Sequence, residues 1–210
     1  MVMAYDLEEQ EQIDAFKAWW KANGNKVLAF VGVVVIAFVG MEGWKYYHNK
    51  QAIEASVQYQ QLIESDPKDT KAIQALSAQL MENFPSTPYA GRAAVIAAKT
   101  NYNEKDIKSA KEQLEWAISN AKEEQVSALA RLQLAALQLN DKEYDKALQT
   151  LSAKHDEGFA GLYADLKGDI LVAQGKQEEA KAAYKEALTK LDPQGRYRSY
   201  TEHKLEALGG

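Results

Sequence analysis

The chain contains no cysteine and only four prolines among its 210 residues. The absence of cysteine excludes disulfide bonds and cysteine-ligated zinc sites, and it is compatible with either redox compartment. The prolines, at positions 67, 85, 88 and 193, leave long intervals in which helices can form. Acidic residues outnumber basic ones and give a net charge of −5. A nucleic-acid-binding protein usually shows a basic excess, so we expect no nucleic-acid partner.

Catalytic signatures are also missing. The three histidines, His48, His155 and His203, lie in unrelated segments, without a second histidine at metal-ligand spacing. The sequence has no Gly-x-Ser-x-Gly elbow and no glycine-rich phosphate loop. The run from His155 to Glu157 could imitate an acid–base cluster, but its place at the end of a predicted helix favours a solvated turn. We predict a protein that is not an enzyme and uses no cofactor or metal.

One long hydrophobic run interrupts an otherwise charged sequence. Residues 27–41, VLAFVGVVVIAFVGM, carry no charge. Fifteen helical residues are somewhat short of a ~30 Å hydrocarbon core, but the aromatic residues that follow extend the span. We predict a transmembrane helix over 26–47. A cleaved signal peptide, a buried core helix and an interfacial helix are the alternatives. The segment lacks the polar face that an interfacial helix needs. The acidic N-terminus and the lack of a small-residue cleavage site disfavour the first, and the run of Val and Ile without a polar face disfavours the second.

Aromatic side chains flank this run on both sides, as they do at membrane interfaces. Ile13, Phe16 and Trp20 share one face of a predicted N-terminal helix that can lie on the inner leaflet. The alternatives are packing on the cytoplasmic surface of a partner or a frayed end. Asn23-Gly24-Asn25 predicts a hinge between this helix and the span. The predicted membrane-interface residues are Ile13, Phe16, Trp19, Trp20, Trp44, Tyr46 and Tyr47.

Lysine counts bear on the orientation of the span. Three lysines lie within ten residues before the run and two lie shortly after it. The positive-inside rule then favours a cytoplasmic N-terminus. We therefore expect a cytoplasmic amphipathic segment over 1–25, the span over 26–47, and a domain over 48–210 on the far side.

The rest of the chain has the pattern of an all-α protein. Apolar residues recur at three- and four-residue spacing, and Ala, Leu, Glu, Lys and Gln dominate. Asp66-Pro67 predicts the end of the long second helix, and Gly175 is a fitting helix stop. The predicted helices are 6–23, 26–65, 69–83, 88–101, 104–120, 123–139, 142–153, 159–174, 177–191 and 196–207.

Small residues repeat at intervals of 37 and then 33 residues. Each repeat has one small residue, a second small residue twelve positions later, and a larger residue four positions after that. Such a period with two helices per unit indicates a helical solenoid. The alternative is an ordinary alanine-rich bundle. The three sets are Ala98, Ala110 and Leu114; Ala135, Ala147 and Leu151; and Gly168, Ala180 and Tyr184.

The third unit matches a tetratricopeptide repeat best. Gly168, Gly175, Ala180, Tyr184 and Ala187 fall at the small and aromatic positions of that repeat. The second unit has Lys154 where a small residue would fit, and the first unit is weaker still. The cluster from Arg196 to Tyr200 then predicts a capping helix whose tyrosines pack on the preceding repeat. We predict an N-terminal amphipathic helix, one transmembrane helix and a tetratricopeptide-like α-solenoid.

In such an array the first helix of each hairpin lines a concave face, at relative positions 2, 5, 9 and 12. These positions predict a groove with a basic and aromatic end, an apolar middle and an acidic end, suited to a peptide segment. The alternative is that Leu129, Leu132 and Leu139 belong to the core. The predicted partner-binding residues are Arg92, Val95, Lys99, Tyr102, Leu129, Leu132, Leu139, Leu162, Asp165, Asp169 and Val172. Ala136 is at relative position 9 of the second repeat unit.

Nearly the whole chain resembles one family, the YfgM-like ancillary SecYEG translocon subunits of Gram-negative bacteria. The resemblance is carried by EQIDAFKAWWKANG over 11–24, by GWKYY over 43–47 and by ADLKGD over 164–169. The sequence departs from the family pattern at Trp19-Trp20, where two phenylalanines are expected, and at the extreme N-terminus.

The resemblance implies an inner-membrane anchor and a periplasmic repeat domain. It also implies association with the SecYEG channel and with the periplasmic chaperone PpiD, contact with membrane lipid, and assistance to newly exported, unfolded proteins. The alternative function is a membrane-tethered, tetratricopeptide-like assembly adaptor for another envelope complex.

Overall fold

The computed structural model describes the backbone of residues 2–209 and the side chains of residues 8–209. This part of the chain contains nine α-helices and a short 3-10 turn, and it has no β-strand. The chain divides into two compact units, one ending at Lys50 and the other beginning at Gln51. The helices are α1 (Val2–Glu64), α2 (Thr70–Asn83), α3 (Pro88–Asn103), α4 (Ile107–Asn120), α5 (Glu124–Asn140), α6 (Tyr144–Leu151), α7 (Ala160–Ala173), α8 (Gln177–Lys190) and α9 (Arg196–Ala207).

The predicted hinge at Asn23-Gly24-Asn25 is wrong, because α1 is helical through these residues. Asparagine and glycine tolerate left-handed backbone geometry but do not impose it. The Asn23 side chain donates to the Trp19 carbonyl at 3.2 Å. A Cβ at Gly24 would lie 3.2 Å from the Trp20 indole, so the ring covers the glycine. The two predicted helices 6–23 and 26–65 are therefore one helix.

The hydrophobic run lies in the first unit with its side chains exposed. Within the described residues α1 is the one helix whose length and composition suffice to cross a membrane. None of its most apolar window is buried, which argues against a core helix of this chain. The helix ends at Glu64, just before Asp66-Pro67, as the sequence predicts. A helix that leaves so many apolar side chains uncovered fits a lipid environment.

The second unit consists of helical hairpins. The end of α1 packs with α2 and α3 through Ala55, Leu62, Leu80 and Ala93. The hairpins α3–α4, α5–α6 and α7–α8 follow, and α9 packs on α8. The small residues of the repeat are buried where the two helices of each hairpin approach, as the spacing predicts. These pairs are Ala98 with Ala110, Ala135 with Ala147, and Gly168 with Ala180.

The turns inside the three hairpins share one geometry. The second residue after each first helix has a positive φ: 69° at Lys105, 62° at Lys142 and 77° at Gly175. In each turn the next backbone N–H donates to a carbonyl five residues earlier, as Lys176 does to Leu171 at 2.9 Å. This is the Schellman arrangement, in which glycine has the lowest steric cost. Gly175 is thus confirmed as a helix stop, while two lysines occupy the equivalent left-handed positions.

Replacing Lys142 by glycine is expected to stabilise the chain. A side chain in the left-handed region costs about 1–2 kcal/mol, and the entropy of glycine in the unfolded chain removes part of that gain. We expect a net increase of about 0.5–1 kcal/mol in the free energy of unfolding, measured by urea denaturation with circular dichroism. The matched control is Lys185→Gly in α8, where the same change is expected to cost up to about 1 kcal/mol. An equal loss of unfolding free energy in both variants would contradict backbone strain at Lys142.

Helix α6 ends two residues before the predicted end at 153. Lys154 is exposed in the segment that follows, and a 3-10 turn over Glu157–Phe159 leads into α7. The sequence predicts a turn at His155, and the structure has one. The His155 ring is half-buried, however, and it stacks on Tyr163 with 4.0 Å between ring centroids. The short α6 opens a pocket of about 360 Å³ that His155, Tyr163 and residues of α8 line.

The tyrosines of α9 do not pack on the preceding repeat, so that prediction is wrong. Tyr197 is 64% exposed and Tyr200 is 63% exposed. The stripe that faces α7 and α8 is instead formed by Arg198, Thr201 and Leu205. These residues repeat at three- and four-residue spacing, and Tyr197 and Tyr200 fall beside that stripe. The capping helix is present, but its aromatic residues face solvent.

Candidate partner-binding groove

The first helices of the hairpins lie side by side and bring some of the predicted groove residues together. Helix α3 contacts α5, and α5 contacts α7. None of the predicted residues is fully buried. Lys99, Tyr102 and Ala136 line a common pocket of about 390 Å³ between α3 and α5. Relative positions 9 and 12 of the first unit thus meet relative position 9 of the second, as the repeat pattern predicts.

This α3–α5 pocket has an apolar floor and a polar rim. Ala98, Leu114 and Leu137 are buried at its floor. Tyr102 is 42% exposed at the rim, beside Lys99. The pocket exists because small residues at the meeting of α3 and α5 leave space that larger side chains would fill.

Two rim residues of this pocket, Gln133 and Asn140, are not among the predicted groove residues. They stand one position after Leu132 and Leu139, which the repeat pattern did select. Side chains on a helix cover an arc rather than a line, so neighbours of the selected positions reach the same groove. Both amides are in the sequence pattern once the residue after each selected position is included.

The apolar middle of the groove is at the edge of the core. Leu132 and Leu139 are half-buried and pack against the cluster that contains Ala128 and Tyr163. Leu129 and Leu162 are also half-buried, and Val172 is exposed. Val95 is half-buried against the cluster formed by α3, α4 and α5. These side chains therefore contribute to packing while part of their surface stays accessible.

One cation at the basic end of the groove, Arg92, is neutralised within the chain. Arg92 donates to Glu123 through Nε at 2.7 Å and through Nη2 at 2.6 Å. This two-point contact fixes the plane of the guanidinium group. The hydrogen bonding to Glu123 raises the pKa of Arg92. Because Glu123 comes from the loop before α5, the ion pair also ties the second hairpin to the first.

The acidic end is neutralised by the terminal helix. The Lys204 ammonium donates to Asp165 Oδ2 and to Asp169 Oδ2, both at 2.8 Å. The Thr201 hydroxyl donates to Asp165 Oδ1 at 2.8 Å. The Tyr184 hydroxyl donates to Asp169 Oδ1 at 2.8 Å. The aspartates that the sequence assigns to the groove thus hold α9 in place.

Two pKa shifts reflect this network. Burial alone would lower the pKa of Lys204, but hydrogen bonds to Asp165 and Asp169 outweigh it and raise the pKa. Burial raises the pKa of Tyr184, and its hydrogen bond to Asp169 raises it further. Both residues therefore keep their protons across the physiological range, and the network stays intact there.

The predicted membrane-interface residues are exposed on α1. Phe16 lies 6.2 Å from both Trp19 and Trp20, measured between ring centroids. Trp44 lies 4.4 Å from the ring of His48. The full set with exposed side chains is Ile13, Phe16, Trp19, Trp20, Trp44, Tyr46 and Tyr47.

The hairpin array and its groove define the class of protein: a helical repeat domain that follows one long apolar helix. A family model described as a tetratricopeptide repeat-like domain matches residues 17–210. A protein from Neisseria gonorrhoeae named ancillary SecYEG translocon subunit is 32% identical over 98% of this chain and 100% of its own. Proteins of the same name from Haemophilus influenzae and Escherichia coli are 34% and 31% identical. Each of these two alignments covers 88% of this chain. They cover 91% of the Haemophilus influenzae protein and 88% of the Escherichia coli protein.

The chain belongs to the tetratricopeptide-repeat-like family of ancillary SecYEG translocon subunits. This confirms the predicted all-α repeat fold and the family resemblance. The family is non-enzymatic, which also confirms the prediction that the chain is not an enzyme.

Proposed function

We propose that this chain is an accessory subunit of the SecYEG translocon whose repeat domain binds polypeptides along its groove. The polypeptides are a partner chaperone of the PpiD type and newly exported, unfolded proteins. The shared name of the relatives supports the association with SecYEG. The observation that carries the groove assignment is the open α3–α5 pocket of about 390 Å³.

The chemistry of the pocket suits a polypeptide. Its apolar floor can take a bulky side chain, while the amides of Gln133 and Asn140 at the rim can bond to a peptide backbone. Backbone contacts are independent of sequence, and a single apolar anchor is common to many unfolded chains. The pocket therefore fits a binder of varied clients better than a binder of one rigid surface.

The proposed placement is an inner-membrane protein with a single span over 26–47. Residues 1–25 face the cytoplasm and residues 48–210 face the periplasm. The exposed apolar run in α1 supports the span, and the lysine distribution supports the orientation. The exposed cluster of Phe16, Trp19 and Trp20 supports contact with lipid at the cytoplasmic interface.

Protease protection tests this orientation. Lys154 is exposed between α6 and the 3-10 turn and offers trypsin a target in the repeat domain. Trypsin added to spheroplasts is expected to cut the repeat domain, while trypsin added to inverted vesicles is expected to leave it intact. Cleavage of the repeat domain in inverted vesicles would refute the placement.

Site-specific cross-linking in membranes tests the function. A photoreactive amino acid in place of Gln133 is expected to capture SecYEG-associated chaperone and exported polypeptides. The same group in place of Lys185, exposed on α8, is the matched control and is expected to capture far less. Equal capture at the two positions, or no capture at either, would overturn the groove assignment. Recovery of one folded partner without exported chains would support the envelope-adaptor alternative instead.

A further inference from the structure

Three charged residues that the sequence assigns to the groove already have partners inside the chain. Arg92 pairs with Glu123, and both Asp165 and Asp169 pair with Lys204. Paired charges offer little net attraction to a ligand, because their own partners compete for them. Arg92, Asp165 and Asp169 are therefore weaker electrostatic contacts than the sequence pattern predicts.

Lys99 differs from these residues. It is exposed at the rim of the α3–α5 pocket, and none of the ion pairs found among residues 8–209 includes it. The remaining lining of the pocket contains no carboxylate and no other cation. The pocket thus joins an apolar floor to one ammonium group that no carboxylate of the described part of the chain neutralises.

Because the chain has a net charge of −5, the single cation of the pocket, Lys99, can determine which acidic segments bind there. A negative protein surface repels acidic peptides in general. A carboxylate binds more favourably where a local positive charge offsets that field. Lys99 supplies that charge beside the place where an apolar side chain can be buried.

We propose that the α3–α5 pocket selects polypeptide segments in which a bulky apolar side chain is next to a carboxylate. The apolar side chain enters the space over Ala98 and Ala136, and the carboxylate pairs with Lys99. This inference rests on the proposed function, namely that the groove binds polypeptides, and it adds the chemical class of segment that is preferred.

Three fluorescein-labelled Gly/Ser peptides test the preference, with the full chain in lipid nanodiscs. One carries a Leu-Asp pair, the second a Leu-Lys pair and the third a Gly-Asp pair. Binding is followed by fluorescence anisotropy at fixed ionic strength. An exposed ion pair is worth up to about fivefold in affinity, so we expect the Leu-Asp peptide to bind up to about fivefold more tightly than the Leu-Lys peptide. The Gly-Asp peptide, without an anchor, is expected to bind weakest.

The decisive variant is Lys99→Glu, which is expected to reverse the order so that the Leu-Lys peptide binds more tightly. Lys185→Glu changes the net charge by the same amount on α8 and is expected to keep the original order. Because both lysines are exposed, neither change threatens folding. Ala136→Trp fills the space over the floor and is expected to weaken both leucine peptides at least about tenfold.

The outcomes separate this inference from the proposed function. If both leucine peptides bind equally, and Lys99→Glu changes neither, the carboxylate preference is wrong while polypeptide binding stands. If Lys99→Glu and Lys185→Glu shift the order alike, general charge and not Lys99 sets the preference, which also overturns the inference. If neither leucine peptide binds, and cross-linking at Gln133 captures no polypeptide, the proposed function fails with it.

Discussion

Gly168→Ala is expected to lower the free energy of unfolding by about 2–3 kcal/mol, although it adds one methyl group. A Cβ at Gly168 would overlap the ring of Tyr184. Tyr184 is buried and its hydroxyl is held by Asp169, so the ring cannot swing aside without breaking a hydrogen bond. Helices α7 and α8 must then move apart. Urea denaturation monitored by circular dichroism measures the loss.

The other two hairpins provide the control for this prediction. Where the third hairpin has Gly168 opposite Tyr184, the first has Ala98 with Leu114 and the second has Ala135 with Leu151. The double variant Gly168→Ala/Tyr184→Leu copies that combination. We expect it to be more stable than the sum of the two single variants predicts, by at least about 1 kcal/mol. Additive effects would show that the ring and the glycine are not coupled.

Lys204→Met is expected to destabilise the chain by about 2 kcal/mol and to loosen α9. Removing one member of a buried ion pair costs about 3–5 kcal/mol, and the Lys204 side chain is 34% exposed, so solvent reduces that figure. The loss arises because Asp165 and Asp169 are left near each other without a cation. Lys190→Met is the matched control. Its partner Glu186 is on the same helix and both side chains are more exposed, so we expect a change of about 0.5 kcal/mol or less.

The pH dependence gives Lys204 a second signature. Its pKa is raised above the ordinary value of 10.5 in the folded chain. Stabilisation by its ammonium is therefore complete below the unfolded pKa, and it is lost as the pH rises through the higher folded pKa. As the pH rises above 10.5, the free energy of unfolding should fall more in the native chain than in Lys204→Met. Tyr184 also has a raised pKa, but it is present in both proteins and its effect largely cancels. Parallel pH profiles would contradict the role of Lys204.

The repeat and the long apolar helix could be predicted because both depend on local pattern. The small residues at Ala98, Ala135 and Gly168 are required wherever two helices approach closely, so their spacing directly reports the hairpins. The long apolar run of α1 depends on composition alone. In both cases the physical requirement acts on the residues themselves and needs no knowledge of distant contacts.

The errors concern properties that distant residues decide. The hinge at Asn23-Gly24-Asn25 was inferred from what these residues permit, while the helical hydrogen bonds and the Trp20 ring favour continuity. Lys154 marks the departure of the second unit from the repeat, but only the structure shows that α6 ends before it.

The charge pattern of the groove was incomplete for the same reason. Asp165 and Asp169 are on α7, and the lysine that neutralises them comes from α9, more than thirty residues later. Spacing within one helix cannot reveal such a partner. Tyr197 and Tyr200 were misplaced because a shift of one position along α9 decides which stripe meets α8.

The division of the core into successive clusters bears on how the chain acquires its structure. Between residues 51 and 209 most of the buried apolar residues fall into four groups, over 55–93, 94–137, 128–170 and 171–184. Each group is built from helices that are neighbours in the sequence, so none needs a distant segment to close. If the N-terminal side of the domain emerges first, the domain can fold vectorially. One cluster of buried residues can then pack before the residues of the next cluster have emerged.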